Sequence, residues 1–215
     1  MKRCLSNVLF ASLVLCGLFI YSGSAAAATN TTATTKTILV LGDSLSAARG
    51  IDRADGWVNL LRQRLHAKGY RYRVINASIS GDTTSGGLAR LPRALKQDHP
   101  AILIVELGGN DGLRGISLRV MRANLRKIIE LGRAAGARIL LLGVRLPPNY
   151  GPAYVEAFER VYRQVAQDTH TPLVAHLLAG VASHRNLMQP DGIHPIAAAE
   201  PRLLDNIWPA LKQLL

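Results

Sequence analysis

Residues 101–112 read Ala101-Ile102-Leu103-Ile104-Val105-Glu106-Leu107-Gly108-Gly109-Asn110-Asp111-Gly112. Four consecutive apolar side chains, Ile102 to Val105, leave the segment without a polar face. Side chains alternate between the two sides of a strand, so such a run is wholly buried only when both sides are covered, as in the middle of a parallel sheet with helices above and below. Other apolar runs of strand length stand on either side of it, at Thr37–Leu41, Arg71–Asn76, Arg138–Gly143 and Leu173–Ala175. Longer stretches of helical period separate them. Leu118, Met121, Leu125, Ile128, Leu131 and Ala135 form one stripe behind Ser117, a residue type suited to cap a helix. Tyr154, Phe158, Val161 and Val165 form another behind Gly151 and Pro152. Further helices are predicted over Gly56–Ala67, Ser85–Lys96 and from Pro195 to the C-terminus. Strands alternating with helices predict one open α/β domain. In such a sheet ligands bind beyond the carboxyl ends of the strands, so chemistry is sought just after each strand.

Those positions are unusual. After the first strand comes Gly42-Asp43-Ser44-Leu45-Ser46, a serine on a strand-to-helix turn. This placement suits a nucleophile, which needs exposure, a nearby base and a donor for the developing oxyanion. The same turn is also what a simple helix cap looks like. It is not the Gly-x-Ser-x-Gly elbow, because Ser46 fills the last glycine position. After the second strand, Gly81 sits in Ser78-Ile79-Ser80-Gly81-Asp82 and offers a bare backbone N–H. After the third, Asn110 stands among glycines, where a side-chain amide suits oxyanion stabilisation. Near the C-terminus, Asp191-Gly192-Ile193-His194-Pro195 brings a carboxylate within reach of an imidazole. A helix cap beside a surface histidine gives the same pattern.

Jointly, the four blocks resemble the GDSL/SGNH hydrolase family, whose order of Ser, Gly, Asn and then Asp-x-x-His they share. Ile75–Pro92 (INASISGDTTSGGLARLP), Val105–Gly115 (VELGGNDGLRG), Arg145–Gly151 (RLPPNYG) and DGIHP are similar to its subgroup of bacterial periplasmic thioesterase I, arylesterase and lysophospholipase. The similarity runs from about Thr37 onward, which makes 37–215 the hydrolase domain. It implies a flavodoxin-like three-layer sandwich with a central five-stranded parallel sheet, and neither metal nor cofactor. The family nucleophile falls on Ser44, the acid on Asp191 and the base on His194; the oxyanion donors fall on the N–H groups of Ser44 and Gly81 and the amide of Asn110. A segment that lines the acyl groove falls on Ser85–Pro92, which with Leu45 makes Leu88, Leu91 and Pro92 substrate-binding residues. The Asn149-Tyr150 loop borders the same groove. The implied activity is hydrolysis of acyl esters and thioesters, including aryl esters and lysophospholipids, through an acyl-Ser44 intermediate. One departure concerns Arg49, where relatives tend to carry small or apolar residues; a cation there either meets anionic head groups or points outward. A carbohydrate O-deacetylase on the same site, a non-catalytic ligand-binding module and a phosphate or flavin binder are the rival readings. None of them requires Asn110 and Asp-x-x-His together.

The N-terminus reads as an export signal spanning 1–28: Lys2 and Arg3, an apolar stretch from Val8 to Ile20, then small residues from Ser22 to Ala28. The apolar stretch falls short of the ~20 residues of a membrane span. Both cysteines, Cys4 and Cys16, lie inside the expected signal, so the mature chain carries no thiol and relies on its core. A Thr-rich lead-in, 29–36, precedes the first strand. The expected location is the bacterial periplasm or the exterior. The formal net charge is +12, but the arginines are scattered and only 5% of residues are aromatic, too few for a nucleic-acid stacking platform. The charge fits a solvated surface or peripheral contact with anionic lipid. Trp57 is expected in the core, and Asp43 and Asp111 are expected to hold their loops. No Gly-x-Gly-x-x-Gly, Walker or metal-ligand pattern occurs. The expected partner is a small-molecule substrate, bound by a monomer.

Overall fold

The structure is a computed structural model that describes Met1 and residues 35–215. The expected export signal and nearly all of the lead-in lie outside the described residues. Five strands, β1 (Lys36–Gly42), β2 (Tyr72–Asn76), β3 (Ile102–Glu106), β4 (Arg138–Leu142) and β5 (Leu173–Val174), form one sheet in the order β2-β1-β3-β4-β5. All neighbours are parallel. Ile102 to Val105 are fully buried, as are Ile38 to Leu41 of β1, and Ile139 to Leu142 of β4 are buried too, so the three inner strands are the ones without a polar face. The edge strands β2 and β5 carry partly exposed residues.

Among the described residues six helices form, five of them where the sequence predicts helix and α3 in addition: α1 (Trp57–Ala67), α2 (Thr84–Asp98), α3 (Gly109–Leu113), α4 (Leu118–Ala134), α5 (Pro152–Asp168) and α6 (Glu200–Lys212). Right-handed crossovers decide their sides. The chain steps outward from β1 to β2, then back across β1 to β3 and on to β4 and β5, so α1 lies on one face and α2, α4 and α5 on the other. The contacts agree: α1 packs on α6, α2 on α4, and α4 on α5. The result is a flavodoxin-like three-layer sandwich. Trp57, fully buried at the start of α1, belongs to the core. Ser117 stands at the start of α4 but its side chain makes no capping hydrogen bond. The short helix α3, where the sequence suggested only loop, follows directly on β3.

Reversal of direction between β1 and β3 opens a crevice at their carboxyl ends, the switch point at which such sheets bind ligands. Gly42 of β1 and Glu106 of β3 are register partners there. The turn after β1 carries Ser44, and the turn after β3 carries Asn110.

Candidate active site

Ser44 lies just beyond β1, in a turn closed by the Ala47 N–H on the Asp43 carbonyl at 3.0 Å and the Arg49 N–H on the Ser44 carbonyl at 3.1 Å. Its Oγ is 2.8 Å from His194 Nε2, across 150 positions of sequence. His194 Nδ1 is in turn 2.6 Å from Asp191 Oδ2. The other carboxylate oxygen, Asp191 Oδ1, accepts the N–H groups of Ile193 at 2.9 Å and His194 at 3.0 Å. Burial alone would raise the Asp191 carboxyl, but these N–H groups and the imidazole outweigh it and hold the group at about 2. The carboxylate is therefore ionised at neutral pH. With Nδ1–H donating to it, Nε2 is left as an acceptor for the Ser44 hydroxyl.

The loop carrying the Asp191–His194 pair is pinned from both sides. The Gln189 amide donates to the carbonyls of Arg49 and Pro195, each at 2.8 Å, which ties the loop to the end of the serine turn. Farther along, Glu200 reaches back to accept the Trp57 N–H at 2.8 Å.

Gly81 adopts a left-handed backbone, φ +82°, where a side chain would be strained. Arg114 donates to its carbonyl at 2.8 Å. The loop before it is braced by Arg90 of α2, which donates to the Ala77 carbonyl, to the Gly42 carbonyl at 3.2 Å and to Asp82 at 2.8 Å. Asn110 is the second residue of α3, and its Nδ2 donates one hydrogen to Asp43 Oδ2 at 3.0 Å. Asp43 Oδ1 accepts the Leu45 N–H at 3.1 Å, so this carboxyl joins the serine turn to the asparagine. Asp111 points the other way and accepts the N–H and hydroxyl of Thr84 at the start of α2. Burial pushes Asp43 up to about 6.

Ser44, Gly81, Asn110, Asp191 and His194 all line one cleft of about 930 Å³. Its apolar wall comes from Leu45, Leu113, Val144, Leu146, Leu178 and Met188; Arg49, Arg114 and Arg145 stand among its polar lining. Of the substrate-binding residues expected from the sequence, only Leu45 lines it. Leu88, Leu91 and Pro92 belong to α2 instead. There Leu91 is fully buried against the sheet, Leu88 packs on the core and Pro92 faces solvent. Helical period explains the placement of the two leucines, because Leu91 and Leu88, four and seven positions before Leu95, share the sheet-facing side with it. Asn149 and Tyr150 come directly after the lining residues Pro147 and Pro148 but are themselves exposed, and the Tyr150 hydroxyl donates to the Leu113 carbonyl at 3.1 Å. No sequence motif marks Leu113, Leu146 and Leu178 as lining residues. Each follows a strand end, which was the available signal. Among the described residues no cluster of histidine, cysteine and carboxylate side chains is arranged to hold a metal ion.

The order and spacing of these blocks match the model of the GDSL-like lipase/acylhydrolase family over residues 40–200. The chain belongs to that family. This GDSL-family enzyme is 57% identical over 183 residues to the esterase TesA of Pseudomonas aeruginosa, covering 85% of this chain and 91% of that one. It is 46% identical over 178 residues to the thioesterase 1/protease 1/lysophospholipase L1 of Escherichia coli strain K12, covering 83% of each. The crystal structure of TesA superposes on the GDSL-family enzyme with a TM-score of 0.83, at 57% identity, covering 84% of this chain and all of that one.

Proposed function

We propose that the protein is a serine esterase and thioesterase that hydrolyses acyl esters through an acyl-Ser44 intermediate. The observation that carries this reading is the continuous Asp191–His194–Ser44 relay, 2.6 Å and 2.8 Å long, at a cleft with an apolar wall. His194 Nε2 takes the Ser44 proton as Oγ attacks the carbonyl carbon. The oxyanion rests on the Ser44 and Gly81 N–H groups and on the second hydrogen of the Asn110 amide. His194 then protonates the leaving alcohol or thiol, and water, activated by the same imidazole, releases the acid and restores Ser44.

An apolar wall favours an acyl chain over an acetylated sugar, and the three arginines in the lining favour esters with an anionic leaving part, such as a lysophospholipid, and contact with anionic lipid. Every group in the scheme comes from one chain, so the proposed hydrolysis needs no residue from a partner subunit. We read residues 1–28 as a removable export signal; among the described residues no helix is long and apolar enough to cross a membrane.

A fluorophosphonate probe is expected to label Ser44, and Ser44→Ala is expected to abolish both labelling and hydrolysis of a short p-nitrophenyl ester. Near-normal hydrolysis by Ser44→Ala would overturn the assignment. Export is checked by sequencing the N-terminus of protein recovered from the periplasm.

A further inference from the structure

Glu106 has no task in the scheme above, yet it is a carboxyl group with no exposed surface at the floor of the site. It ends β3 opposite Gly42. Its Oε2 accepts the Asp43 N–H at 3.2 Å and the Ser46 hydroxyl at 2.8 Å. Its Oε1 is buried with no donor in reach. The neighbouring charge is that of the Asp43 carboxyl, whose own main-chain N–H is one of the two donors on Oε2. A bond between two carboxyl groups requires a proton on one of them, since an ionised carboxylate only accepts. Asp43 already receives two donors, the Leu45 N–H and the Asn110 amide, which stabilise its charge. Glu106 is the deeper of the two.

We propose that Glu106 is a positioning residue that works as a neutral acid: it donates a hydrogen bond to the Asp43 carboxylate and so holds Asp43, and through it the Asn110 amide, in place at the cleft. This rests on the reading of Asn110 as an oxyanion donor. Burial pushes Glu106 well above the ordinary carboxyl range, and the charge of Asp43 pushes it further. The other titratable groups facing the pair are His194, Asp111 of α3 and Tyr162 of α5, whose hydroxyl donates to the Leu107 carbonyl at 3.0 Å. Arg90 of α2 touches the Gly42 carbonyl, but its charge is paired with Asp82. A second negative charge beside Asp43 would oppose the oxyanion forming at Asn110, whereas a neutral donor supplies the same geometry without that repulsion.

Infrared spectroscopy of the full chain at about pH 8, where a carboxyl with an ordinary pKa is ionised, reads the proton directly. The carbonyl band of a protonated carboxylic acid is expected in the wild type and in Ser44→Ala, and its disappearance is expected in Glu106→Gln. Because Ser44→Ala keeps the band whatever its activity, the test stands apart from the identity of the nucleophile. In parallel, Glu106→Gln, whose amide donates to Asp43 while its carbonyl keeps the Ser46 and Asp43 donors, is expected to keep kcat within about threefold, whereas Glu106→Leu is expected to lower kcat on the order of 10- to 100-fold at unchanged KM. The absence of the band in the wild type, or a loss in Glu106→Gln as large as in Glu106→Leu, would overturn the proposal.

Discussion

Gly42 and Ser46 approach so closely that a methyl group on Gly42 would lie 2.7 Å from both Cβ and Oγ of Ser46. The same methyl would lie 2.8 Å from Ser78 Oγ, on the loop that leads to Gly81. Those contacts are shorter than packed carbon and oxygen atoms tolerate, and the neighbours belong to the serine turn and the Gly81 loop. Gly42→Ala is therefore expected to spread the two loops, costing about 1–3 kcal/mol of stability. Because those loops carry Ser44 and Gly81, its kcat on a p-nitrophenyl ester is expected to fall more than its KM rises. Thermal unfolding and steady-state kinetics check both; an unchanged kcat would show that the turn yields without moving Ser44.

The relay and the anion pocket are expected to separate kinetically. Asn110→Ala removes one oxyanion donor and is expected to cost on the order of 100- to 1000-fold in kcat with little change in KM. Asp191→Ala frees the imidazole to turn and is expected to cost on the order of 1000- to 10000-fold. The double variant Ser44→Ala/Asp191→Ala is expected to be no worse than Ser44→Ala alone, because the two act as a unit. A double variant much slower than Ser44→Ala would show that they act independently.

How far the sequence disclosed this arrangement depends on how local each signal is. Ile102 to Val105 betrayed a doubly covered strand because burial on both faces leaves no polar position. Asp191 and His194 are three positions apart, so one turn brings them together. Leu88 and Leu91 misled because an apolar pair after a glycine-rich loop looks the same whether it faces a cleft or a sheet; only the orientation of α2 decides, and tertiary packing sets that. The pairing of Glu106 with Asp43 was illegible for a related reason. Two carboxyl groups 63 positions apart become neighbours only through the register of β1 and β3. A carboxylate directly after four buried apolar residues was the one hint.

Stability should respond to pH in two opposite ways. Burial raises Asp43 to about 6 and Glu200 to about 7, above their ordinary values of 3.8 and 4.5. Carboxyls raised in this way stabilise the fold fully below their unfolded pKa, and that contribution is lost as pH rises through the folded one. Asp191, lowered from 3.8 to about 2, behaves in the opposite sense: its contribution is present above 3.8 and lost as pH falls through 2. The melting temperature is thus expected to peak near about pH 4 and to decline as pH rises to about 7. Glu200→Gln is expected to flatten the decline on the neutral side. A scanning-calorimetry series showing a melting temperature that climbs steadily from pH 5 to 8 would contradict the sign for both raised carboxyls.

The acyl chain has two walls to choose from, and a pair of substitutions tells them apart. Leu178 lines the cleft and is only partly buried, so Leu178→Trp narrows the space available to a long chain without disturbing the core. Its kcat/KM for p-nitrophenyl palmitate is expected to fall on the order of 10-fold relative to butyrate, the scale on which an apolar pocket discriminates size. Leu91 is fully buried between α2 and the sheet. Leu91→Ala is expected to cost about 2–5 kcal/mol of stability through the cavity it leaves. Its palmitate-to-butyrate ratio should stay at the wild-type value, measured at a temperature where the variant is folded. A ratio that moved with Leu91→Ala and stayed put with Leu178→Trp would return the chain to the α2 side of the site, where the sequence alone first put it.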